Sequence, residues 1–401
     1  MISRRVLFLL LVAVIGCTPD SRPVIESPSI RYDESEVRDR DIDFYSKRVS
    51  EDPESAIDRF TLAKLLFARS RMTGSTSDID HAERLVKESI SKRTQRNYSA
   101  FELLASLLMA RHEFRAARDV ALRADSLDPG NSSHLALLGE IELELGDYKS
   151  AAKHFAAIQY DGRNFTTGAR LARWYELTGR IDVAREFLKR AIVRVDRRDD
   201  LPRDQVAWFY YRLGDLELRT GNVAAAESAF VSGLARNPDD VRVLGGLARA
   251  ALARDAWQQA VDYGERATAN QLDPATLGTI SLAYAKLGDS AQAASYARAM
   301  SVSALKQPGA IHRAWGLFFL DHGTAADRAD VLRRARKELR DRKDVYGHDL
   351  MAWALYRNGQ LDKSKQEMKL ALSQHTQDVM LIEHARAIGV WPATQSPSGP
   401  R

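Results

Sequence analysis

From about residue 56 to residue 388, apolar residues recur at i, i+3, i+4 and i+7, block after block. Two blocks show the pattern: "LLGEIELELGDYKSAAKHFAAI" and "RLARWYELTGRIDVAREFLKRAI". Each predicts two amphipathic helices joined by a tight turn. Four such turns hold Gly146-Asp147, Gly179-Arg180, Gly221-Asn222 and Gly288-Asp289. Glycine there ends the first helix in a left-handed conformation, and Asp or Asn can cap the second.

The blocks recur with a period near 34 residues, with starts near 98, 132, 165, 207, 241, 274, 309 and 345. Position 8 of each unit is small: Ala105, Gly139, Ala172, Gly214, Ala248, Ser281 and Ala352. So is position 20: Ala117, Ala151, Ala184, Ala226, Ala260, Ala293 and Ser364. Pro129 and Pro238 stand where a second helix must stop. A degenerate first unit fits residues 56–94, and a lone helix from Asp378 to Ile388 closes the array. The unit from 309 departs most, with Arg328 where alanine is expected. The long spacing between 165 and 207 reflects an insertion near "RVDRRDDLPRD".

This pattern resembles the tetratricopeptide repeat. The resemblance implies an all-α, right-handed superhelical solenoid over residues 51–390. One helix pair cannot bury both of its apolar faces, whereas a stack buries a continuous core. The family's concave groove is lined by positions 2, 5, 9, 12 and 13 of each first helix. Candidate partner-binding residues there are Glu102, Glu140, Arg173, Trp208, Tyr211, Asp215, Arg249, Lys286, Trp353 and Tyr356. Position 9 lacks the asparagine of the carboxylate-clamp subfamily: it reads Ser106, Glu140, Arg173, Asp215, Arg249, Leu282 and Trp353.

The N-terminus follows a different logic. Arg4 and Arg5 precede an unbroken apolar run, Val6 to Ile15. As a helix the run spans about 15 Å, half of a bilayer core of about 30 Å. That suits the core of an export signal better than a membrane span. Val14-Ile15-Gly16-Cys17 resembles the lipobox of bacterial lipoproteins. The resemblance implies removal of residues 1–16 and lipidation of Cys17, the only cysteine. Two or more acyl chains anchor a protein durably, at about 0.8 kcal/mol per buried methylene. With Cys17 acylated, the chain has no thiol for a disulfide, a metal or a nucleophile. Residues 17–50, rich in Pro, Ser and charge, read as a flexible tether whose second half, Glu34 to Arg48, can form a helix. Residues 391–401 read as a disordered tail.

Composition and charge narrow the function by exclusion. Lys and Arg total 59 against 54 Asp and Glu, a net charge of +5. That excess is too small and too scattered to argue for nucleic acid. No phosphate-binding glycine loop, HExxH or GxSxG occurs. The nine histidines are scattered, and His384 falls in a buried slot of the closing helix. The run "DRADVLRRARKELRDRKD" mixes both signs and suits a solvated, salt-bridged helix. No cofactor, metal or catalytic residue is expected. The expected function is a lipid-anchored, non-enzymatic scaffold holding a protein partner at the bacterial envelope. The outer membrane, on its periplasmic face, is favoured if two membranes are present. The alternative is an assembly factor for envelope polymer or outer-membrane components acting through its outer surface.

Overall fold

The computed structural model describes residues 34–305 and 312–391. Among them are twenty α helices and no strand. Helix α1 (Glu34–Glu51) precedes nine antiparallel pairs. The first four are α2 (Ala56–Thr73) with α3 (Thr76–Lys92), α4 (Tyr98–Ala110) with α5 (Phe114–Leu127), α6 (Ser132–Leu145) with α7 (Tyr148–Ala157), and α8 (Phe165–Leu177) with α9 (Ile181–Val195). Then follow α10 (Arg203–Arg219) with α11 (Val223–Arg236), α12 (Val241–Ala253) with α13 (Trp257–Thr268), and α14 (Pro274–Leu287) with α15 (Ser290–Ala304). The last are α16 (Arg313–His322) with α17 (Ala325–Glu338) and α18 (Val345–Arg357) with α19 (Leu361–Ala371), before α20 (Val379–Ile388). The helix starts follow the expected period closely, and the fold is the expected all-α repeat solenoid.

Helix approach within a pair is set by side-chain size at position 8 against position 24. Where position 8 is glycine, position 24 is phenylalanine: a Cβ on Gly139 would lie 2.6 Å from Phe155, and one on Gly214 2.5 Å from Phe230. Each ring fills the space its glycine leaves, as close packing requires. Where serine replaces alanine, its hydroxyl finds the facing backbone: Ser281 Oγ donates to the Ala293 carbonyl and Ser364 Oγ to the Ala352 carbonyl, both at 2.8 Å.

The turns are built largely as the sequence predicts. Gly146, Gly179, Gly221 and Gly288 all have φ between 77° and 87°. Asp147 and Asp289 accept from the backbone N–H of Ser150 and Gln292, capping α7 and α15. Asn222 does not cap α11; its side chain donates instead to Glu217 Oε2 at 2.9 Å.

From Glu34 on, the segment expected as part of the tether is helical. The helix allowed for Glu34 to Arg48 is present as α1 and packs on the array, with Ile42 buried and Tyr45 and Val49 against Leu62 and its neighbours. Arg48 Nε meets Asp58 Oδ1 at 3.0 Å. Residues 17–33, Cys17 among them, lie outside the described residues, as do the expected signal and tail from 392.

The array also touches itself far from its nearest neighbours. The turn after α6 meets the loop before α18: Lys343 N–H donates to the Leu145 carbonyl (3.3 Å) and Val345 N–H to the Tyr148 hydroxyl (2.9 Å). Gly146 leaves room for the Lys343 carbonyl. The turn after α8 meets the loop before α20, where Thr376 Oγ1 donates to the Leu177 carbonyl at 2.6 Å. Gly179 lies against the His375 carbonyl and Gly221 against the Val379 side chain. The solenoid therefore closes onto itself, turn against loop.

Candidate interaction surface: a closed, charged axis

Closure brings together the inward faces of the first helices. Arg173 Nη1 meets Glu176 Oε1 at 2.6 Å on α8, and Arg212 Nη2 of α10 meets Glu176 Oε2 at 3.1 Å. Asp215, 2% exposed, receives Arg219 at 2.8 Å, Arg249 of α12 at 3.0 Å and Arg212 at 3.3 Å. Arg219 reaches on to Asp378, the cap of α20, at 3.4 Å. The Tyr346 hydroxyl donates to the same carboxylate at 3.2 Å.

Tyr346 sits at the centre. Its side chain is buried, and the guanidinium groups of Arg173, Arg219 and Arg313 lie 5.4, 5.3 and 4.7 Å from its ring centroid. A ring face attracts cations. Arg313 continues to Asp349 at 2.6 Å, and His384 Nδ1 meets the other oxygen of Asp349 at 2.8 Å. The His384 ring stacks on Trp353 at 4.2 Å, and Trp353 Nε1 donates to Asp321 at 2.9 Å.

Electrostatics follow from this crowding. Burial opposes ionisation of Asp215, but Arg219, Arg249 and Arg212 outweigh it and hold the carboxyl far below its ordinary value. Glu176 is the same case: burial raises its pKa, while Arg173, Arg212 and Arg219 bring it below the usual range. Burial disfavours the Asp349 carboxylate too, and the His384 hydrogen bond with the Arg313 charge reverses the balance. Burial pushes the Tyr346 phenol up to about 12. The axis is thus a set of mutually neutralised charges.

The ten expected groove residues divide accordingly. Arg173, Asp215 and Arg249 are consumed by internal pairs, and Trp353 by stacking on His384 and on Tyr356 (5.1 Å). Glu140 pairs with Arg170 at 2.7 Å, and Glu102 lies 3.4 Å from His134. Trp208 packs edge-on against Phe209, and Tyr211 lies beside Phe230. Lys286 is exposed. A cavity on this axis, bounded by Arg313, Glu338, Arg342 and Tyr346, holds about 10 Å³, room for about one water. Sequence reasoning missed Tyr346, Asp349 and Asp378. The first two stand at positions 2 and 5 of their unit, so the same pattern could have found them. Asp378 is legible as the cap of α20 but not as an axis residue, because its partner Arg219 is 159 residues away.

The basic run of residues 327–344 is partly a solvated face and partly more. Asp330 pairs with Arg333 and Arg334 along α17, but Arg342 crosses to Glu144 at 2.7 Å. His384 is a buried core residue, as expected.

Residues 77–168 and 211–275 match the family described as Tetratricopeptide repeat. These two segments are similar to tetratricopeptide repeats. Three solved structures are similar. PilF of Pseudomonas aeruginosa is 18% identical, with 56% of this chain and 97% of that one covered and a TM-score of 0.41. PilW, described as a type IV pilus biogenesis factor, is 17% identical over 53% and 96%, with a TM-score of 0.43. Human IFIT1, as a dimer with PPP-AAAA, is 12% identical over 86% and 96%, with a TM-score of 0.45. No curated protein matches the chain. Among the described residues no helix is long and apolar enough to cross a membrane.

Proposed function

We propose that this chain is a non-enzymatic scaffold that holds protein partners at the bacterial cell envelope, moored through lipid on Cys17, and that it engages them through its outer surface. The repeats supply the scaffold. The observation that carries the outer surface is the self-paired axis: the arginines and carboxylates that would greet a peptide already satisfy one another. A partner entering there must break buried pairs, each break leaving a charge uncompensated at a cost of about 3–5 kcal/mol. The lipobox supports the anchor, and threonine rather than aspartate at position 18 supports the outer membrane.

Photo-crosslinking in cells tests the surface. Probes at exposed Leu122 and Val231, on second helices, are expected to capture partners, and a probe at Tyr211 is not. Capture from Tyr211 alone would overturn the outer-surface reading. Labelling with a palmitate analogue tests the mooring, with the label lost in Cys17→Ala.

A further inference from the structure

We infer that the cleft beside α9 docks an acidic segment of a protein partner, an inference that rests on the scaffold reading and names one docking site for it. The cleft has a volume of about 660 Å³ and lies between the loop at residues 161–165 and the outer face of α9 with the residues after it. That volume is within the roughly 300–1,000 Å³ range of ligand clefts. Six cationic side chains line it against two acidic ones, Asp161 and Glu186. Three of the six are engaged locally: Arg190 with Glu186 (2.7 Å), Arg198 with Asp200 (2.5 Å) and Arg163 with Asp161 (3.4 Å). Lys189, Arg194 and Arg197 form no ion pair among the described residues, and all three are exposed. Two lie one turn apart on α9 and its extension, where like charges repel.

The floor between them is apolar. Val193 is 51% exposed in the middle of the cationic stripe, and Phe165 borders it from the start of α8. Guanidinium groups bind carboxylates in paired hydrogen bonds, and the exposed valine offers one apolar side chain a seat. A flat bilayer cannot enter a recess, so an anionic lipid surface fits this shape poorly. A peptide with carboxylates on either side of one apolar residue fits both features. The irregular parts of the array build the site: the loop after the short helix α7, and the insertion after α9 that lengthens this unit.

The test uses the full chain and a fluorescent peptide of two glutamates, a leucine and two glutamates, read by anisotropy. Binding is expected, weakening several-fold from about 50 to about 200 mM salt as the charges are screened. The triple reversal K189E/R194E/R197E should weaken binding at least about tenfold, since a tenfold loss is one lost interaction of modest size. The milder R194Q/R197Q should weaken it less, and thermal melts by circular dichroism should overlay for all variants. The reversal R333E/K337E on α17 should leave binding unchanged. Equal binding of a lysine-for-glutamate peptide, an equal loss from R333E/K337E, or binding to anionic vesicles but not to the peptide would each overturn the proposal. If the peptide fails while outer-surface crosslinks persist elsewhere, the cleft falls and the scaffold stands.

Discussion

The axis and the α9 cleft are built from the same residue type and end in opposite states. On the axis, Arg212, Arg219 and Arg249 converge on a single buried carboxylate, Asp215. Beside α9, Arg194 and Arg197 stand in solvent with no carboxylate in ion-pair reach among the described residues. An arginine at a family's binding position is therefore not a binding residue until its partner is known. The axis arginines hold the chain together; Arg194 and Arg197 of the cleft are free to meet something else.

Acid is the broadest way to break this contrast. Asp215, Glu176 and Asp349 all have carboxyl pKa values below their ordinary ones. A depressed carboxylate contributes stability that is present above its unfolded pKa and lost as pH falls through the folded one. Urea midpoints should stay flat above about pH 5 and drop steeply below about pH 4, while the cleft, lined by guanidinium, keeps its charge. Next in size is Asp215→Ala, which leaves three arginines without their shared partner. Breaking a buried pair costs about 3–5 kcal/mol. The arginines keep some solvent, which puts the expected loss near 3 kcal/mol in chemical denaturation. Gly146→Ala should cost about 2 kcal/mol, because φ is +77° and the added methyl meets the Lys343 carbonyl. Tyr346→Phe removes one hydrogen bond to Asp378 and should cost about 1 kcal/mol. Smallest is the triple reversal beside α9, expected within about 0.5 kcal/mol of the parent. A loss above 2 kcal/mol there would erase the distinction between the two regions.

Most of the fold was legible because its determinants are local. The small residue at position 8, the turn glycine and the helix period all act within one unit, and Gly139 with Phe155 shows how far that reaches. The axis was legible only in part. Periodicity turns Arg173 and Asp215 inward, near Glu176, Arg212 and Arg219, but Tyr346 and Asp378, which Arg173 and Arg219 also meet, lie far along the chain. Periodicity states which way a side chain points and is silent on what arrives from the next turn of the superhelix. The cleft was hidden for a related reason. It arises where the period fails, at the loop after α7 and the insertion before α10, so a search for regularity passes over it.

The hydrogen bond between Thr376 and the Leu177 carbonyl spans 199 residues of chain. A solenoid whose units touch only their neighbours folds like a zipper and tolerates the loss of an end unit. Contacts of this span change that behaviour. They raise the mean sequence separation of contacts and slow folding, and they make the C-terminal end report on the middle of the array. Deleting α20 together with its cap would strip Asp378 from Arg219 in the middle of the array, not merely shorten one end. Inserting or deleting a repeat between these contacts would put each turn out of register with the loop it now meets.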